Sequence, residues 1–78
     1  MTYLTRIDPE RNMARWYSVH LQPTLFGEWS VIRSWGRLEQ RGQSLERVCE
    51  TEEEARNLVG YIKAKKLKRG YRDRNLAV

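Results

Sequence analysis

The stretch Arg33-Ser34-Trp35-Gly36-Arg37 offers more chemistry than any other in this chain. Residues two apart in an extended strand share a face, so Arg33, Trp35 and Arg37 would stand in a row. An indole plane between two guanidinium groups suits nucleic acid: the ring packs on a base or sugar, and each guanidinium forks onto phosphate. A strand tryptophan fits a hydrophobic core equally well, with a neighbouring arginine stacked on it as a cation–π pair. Burial preference taken alone places Trp35 inside.

Candidates for catalysis are poorer. Cys49 with His20 could serve as nucleophile and base, and Glu28, Glu39 and Glu46 could supply an acid and a base. Cys49, however, lies beside Glu50 in a weakly alternating stretch, without the cations or helix N-terminus that would stabilise a thiolate. His20 falls on the polar side of a strand pattern. The glycines at 27, 36, 42, 60 and 70 match no phosphate-binding loop. One cysteine and one histidine cannot assemble a four-ligand zinc site, and a lone cysteine forms no internal disulfide. The expectation is a protein without catalytic residues, metal or cofactor.

Charge points to a partner. From Met1 to Ile62 there are eight basic and nine acidic residues; from Lys63 to Val78 there are seven basic residues and only Asp73. Lysines at a helix end also answer the macrodipole. Seven cations in so short a segment exceed that need and form an electrostatic footprint for a polyanion. Lys63, Lys65, Lys66, Lys68 and Arg69 are the candidate contacts. The N-terminal stretch has no basic-then-apolar pattern, and no run approaches the length of a membrane span, so a cytoplasmic protein is expected. The basic segment has few large apolar residues with which to enter a bilayer, so no membrane partner is expected.

These side chains must be positioned by a small fold, because 78 residues make one domain that buries only about 63% of its unfolded surface. Three Trp, four Tyr and one Phe supply bulk for its core. Tyr3 to Ile7 reads as a first strand, ended by Asp8-Pro9. In Arg15 to Gln22, Tyr17, Val19 and Leu21 alternate with Trp16, Ser18, His20 and Gln22, the period of a half-buried strand. Pro23 to Gly27 turns the chain. Glu28 to Arg37 forms a long strand, with Trp29 and Val31 on one face, Ile32 on the other, and Gly36 as a bulge or point of close approach. Leu45 to Glu50 alternates weakly and makes a fourth strand. Thr51-Glu52-Glu53-Glu54 is a capping box, and Ala55, Leu58, Val59 and Ile62 follow at helical spacing. The helix should run to about Lys68 and stop at Gly70. Lys66 and Arg69 would then fall on the apolar stripe, so either their stems snorkel or the last turn frays. The predicted architecture is α+β: an antiparallel sheet of about four strands in β-β-β-β-α order, with one amphipathic C-terminal helix on one face and residues 72–78 as a flexible basic tail.

Several segments together resemble a known family. Trp35-Gly36-Arg37 is the tripeptide for which the WGR domain is named. Arg15-Trp16-Tyr17 resembles that family's second-strand entry, Leu25-Phe26-Gly27-Glu28-Trp29 its turn, and Ser34 to Leu38 its central strand end. Thr51 to Ala55 resembles its helix start, and Lys66 with Gly70-Tyr71 the close of its helix. The likeness spans nearly the whole chain, residues 1–78 as a single WGR domain. WGR domains occur in DNA-dependent poly(ADP-ribose) polymerases and in bacterial proteins, some of them stand-alone. In the polymerases the signature Trp packs on the sugar of a terminal nucleotide, and the signature Arg engages the 5′ end or neighbouring domains. The resemblance therefore implies that Trp35 is partly exposed as an end-stacking platform, that Arg37 is a phosphate or relay contact, and that Lys66 and Tyr71 lie near the partner surface. The polymerases' zinc fingers, regulatory helical domain and transferase have no counterpart in this sequence.

The expected function is a non-catalytic nucleic-acid-binding module without strong sequence specificity, contacting DNA ends or backbone through Trp35, Arg37, Arg33 and the basic helix end. The alternative is a protein-interaction module that uses the same Trp/Arg face, since Trp and Arg often anchor interfaces. A monomer is expected in either case.

Overall fold

The alternating segments pair into one antiparallel sheet. In this computed structural model, which describes residues 1–74, the elements are β1 (Thr2–Asp8), a 3-10 turn (Pro9–Arg11), β2 (Met13–Pro23), β3 (Trp29–Arg37), β4 (Gln43–Cys49), α1 (Glu52–Lys68) and β5 (Arg72–Asp73). The strand order is β4-β3-β2-β1-β5, so the four longer strands form a meander and the chain returns to the free edge of β1. The fold is α+β, as the sequence predicts.

A fifth strand corrects the expectation of a flexible tail beginning at residue 72. Arg72 and Asp73 pair with Thr5 and Leu4, and the Arg74 amide donates to the Tyr3 carbonyl at 2.9 Å. Two residues carry no readable periodicity; besides this pairing, an ion pair from Lys63 Nζ to Asp73 Oδ2 at 2.6 Å ties them to the helix. The remainder of the expected tail, 75–78, lies outside the described residues.

The register assigns each side chain a face. Tyr17 stands opposite Leu4 and Trp35, and Leu21 opposite Val31, so the odd-numbered residues of β2 and β3 point toward the helix. There Leu4, Tyr17, Val19, Val31 and Cys49 meet Ala55, Ile62 and Tyr71 in the core, with Leu58 and Val59 packed against them. The helix stripe is therefore the one its spacing predicts. Thr51 Oγ1 accepts from the Glu54 amide at 3.1 Å, and Gly70, at φ +96°, closes the other end in the left-handed conformation. Cys49 is a buried free thiol, and His20 meets Gln22 Oε1 at 3.2 Å on the opposite sheet face.

Candidate nucleic-acid interface

Where β2 enters and β3 leaves the sheet, Arg15 lies directly opposite Arg37 and Tyr17 opposite Trp35. Like charges on facing strand positions repel, so the pairing of Arg15 with Arg37 costs stability unless an anion comes between them. Trp35 is half-buried. Its ring lies beside that of Tyr17, with centroids 6.1 Å apart and planes inclined by 18°, and Tyr71 meets Tyr17 edge-on at 6.3 Å. Burial preference and the family resemblance pull Trp35 in opposite directions, and the structure satisfies both in part.

The helix end completes the floor. Lys66 does fall back on the stripe, and the helix does not fray: the ammonium reaches over the Tyr17 ring at 4.5 Å and the Tyr71 ring at 5.4 Å. Burial holds Lys66 below the usual lysine range, and the nearby charges of Arg69, Arg33, Lys65 and Arg15 push it the same way. Burial raises the Tyr17 phenol, while the charge and hydrogen bond of Arg33 partly offset the rise. Contiguous concavities share Tyr17 and Lys66; they run from Lys65 and Arg69, past Arg33 and Trp35, to Arg15 and Arg37. The result is an aromatic groove rimmed by cations.

Of the residues singled out from sequence, Arg33, Trp35, Arg37, Lys65, Lys66, Arg69 and Tyr71 converge on this groove. Tyr71 is buried at 9% exposure, as a support for Tyr17 rather than a rim. Lys63 and Lys68 are not brought to it. Lys63 turns away to Asp73, and Lys68 lies on the outer helix surface with Tyr61, Ala64 and Leu67. Successive helix residues point in different directions, so a run of lysines is divided among faces. Arg15 and Tyr17 are groove residues that the sequence reading placed on a strand but did not assign to the site. Their signal was the alternation that aligns them with Val19 and Leu21, together with a register that only pairing supplies.

Gly36 and Gly42 allow the end of the sheet to close. A Cβ on Gly36 would lie 2.8 Å from Gly42 Cα and 3.3 Å from Trp16 Nε1, so Gly36 is the point of close approach its position suggests. The Trp16 indole donates to the Gln40 carbonyl at 3.2 Å and holds the turn beside Trp35.

The family model of the WGR domain matches residues 1–78. This chain belongs to the WGR family. WGR domains are generally nucleic-acid-binding modules, and the tripeptide that names them here closes the groove. An uncharacterized protein, y4dW, of Sinorhizobium fredii (strain NBRC 101917 / NGR234) is 43% identical over 72 residues. The match covers 92% of this chain but 35% of the relative, so this WGR domain spans about a third of that protein's length. No solved structure matches the chain. Among the described residues, no helix is long and apolar enough to cross a membrane, and no cluster of His, Cys, Asp or Glu could hold a metal ion.

Proposed function

We propose that this WGR domain is a non-catalytic module that binds DNA at ends or along the backbone through the groove. In this reading Trp35 packs on a terminal sugar or base, Arg37 and Arg15 take a phosphate between them, and Lys66, Arg33 and Arg69 continue the anion track. The observation that carries it is the facing pair Arg15 and Arg37 beside Trp35. A partner phosphate turns their repulsion into attraction, which a purely structural role for this sheet end would not require. A protein partner on the same Trp/Arg face is the competing reading.

Fluorescence anisotropy separates the two. Labelled duplexes with and without a 5′ phosphate are titrated at several salt concentrations with wild type, Trp35→Ala, Arg15→Gln and Lys68→Ala. If about four phosphates are neutralised, log affinity against log salt falls with a slope near −3.6. Trp35→Ala and Arg15→Gln should weaken binding sharply, and Lys68→Ala only slightly. A flat salt response would favour a protein partner, and equal loss from Lys68→Ala and Arg15→Gln would count against the groove and leave generic charge as the cause of binding.

A further inference from the structure

The sheet has a second face, and among the described residues no helix covers it. Register places Tyr3, Thr5, Trp16, Ser18, Ser34, Ser44 and Arg72 on that side. Tyr3 and Trp16 are not direct cross-strand partners, yet their rings come together, stacked with centroids 6.4 Å apart and planes 17° apart. Tyr3 heads a row that continues across the sheet through Ser18, Ser34 and Ser44, with Ser34 and Ser44 joined at 2.8 Å. These short side chains leave a low surface beside the rings.

Cations flank this surface. Arg72 is exposed and lies opposite Thr5, while Arg74 Nε donates to Thr5 Oγ1 at 2.6 Å and so lies on the same face. At the other side the turn that carries exposed Arg41 folds over Gly36 against Trp16. Among the strand residues of this face Glu46 is the one carboxylate; it lies toward the far end of β4 and accepts from Ser30.

We infer that this open face, built on Tyr3 and Trp16 with Arg72 and Arg74 beside them, is a second site, for single-stranded nucleic acid. Half-buried rings set in a sheet surface cannot stack on bases already stacked in a duplex, whereas an unpaired strand offers its base faces to the accessible parts of Tyr3 and Trp16 and its phosphates to the arginines. Ser18 is buried, so the hydroxyls open to base edges or sugars are those of half-buried Ser34 and exposed Ser44. Trp16 also borders the groove on the helix side, so a single strand leaving a duplex end held there could pass around the sheet end onto this face. The site shares Trp16 with the groove, and its test therefore rests on Tyr3 and Arg72, which do not line the groove.

Anisotropy is measured with a twelve-nucleotide oligothymidylate, the matching oligouridylate and a blunt hairpin duplex, using wild type, Tyr3→Leu/Arg72→Gln and Arg72→Glu. Both variants should bind the single strands about tenfold or more weakly, within the range that one stacked base and one phosphate contact contribute, and keep blunt-duplex affinity within about twofold. A preference between the two oligomers identifies DNA or RNA as the strand recognised. Because Arg72 is exposed, Arg72→Glu tests the site without disturbing the core. Wild type photo-crosslinked to a bromodeoxyuridine oligomer gives a readout free of any mutation: adducts should map to Tyr3, since Trp16 borders both faces. Failure of wild type to bind single strands, equal weakening of single strands and duplex, or adducts confined to Trp16, Trp35, Tyr17 and Tyr71 would overturn the assignment.

Discussion

A methyl group added at Gly42 would stand 1.8 Å from the carbonyl oxygen of Trp35 and 2.7 Å from the Trp16 ring, where ordinary contacts lie at 3.4–4 Å. Two of the obstructing atoms belong to the Trp35 backbone, and Trp35 pairs with Tyr17 on one side and Gln43 on the other. No flexible side chain can yield in their place. The β3–β4 turn must lift away, taking with it the Gln40 carbonyl that receives the Trp16 indole. Overpacking of this kind costs about 1–3 kcal/mol, and a displaced backbone puts Gly42→Ala toward the upper end. For a domain of this size that lowers Tm by about 5–20 °C. Gly60→Ala is the matched control: nothing lies within 4 Å of its added Cβ in the interior of α1. It should gain about 0.5–1 kcal/mol from helix propensity and raise Tm by a few degrees. Circular-dichroism melts of the two variants therefore move in opposite directions from wild type. A Gly42→Ala protein that melts with Gly60→Ala would refute the packing described at the end of the sheet.

Lys66 and Asp73 give two further tests. Because the folded pKa of Lys66 lies below the usual lysine value, the folded state holds fewer protons than the unfolded chain between those two values, and stability rises with pH through that window. Burial's cost to the ammonium is thus full at neutral pH and relieved as pH climbs toward 10.5. Wild type should gain stability relative to Lys66→Met over that climb; a stability difference between them that stays constant with pH would contradict the assigned cause. Asp73→Asn removes the partner of Lys63 and should cost about 1–2 kcal/mol, less than a fully buried pair because Lys63 is partly in water. Hydrogen exchange should show the β5 amides opening first, with duplex affinity retained. Loss of affinity as large as that from Trp35→Ala would place the pair in the groove after all.

What the chain states locally is legible without a structure. The Thr51 cap, the 3.6-residue stripe from Ala55 to Ile62 and the Gly70 stop define the helix, because each interaction spans only a few residues. The alternation in β2 defines its faces, and the spacing of Arg33, Trp35 and Arg37 puts them on one of them, because the strand period is two. Strand pairing and helix docking decided the rest. They set Arg15 against Arg37, put Lys66 over Tyr17 while sending Lys63 to Asp73 and Lys68 outward, and drew Arg72 and Asp73 back onto β1. These relations join residues far apart in the chain. A side chain's own neighbours do not encode them, and they exist only once the sheet's register and the helix's rotation on it are settled.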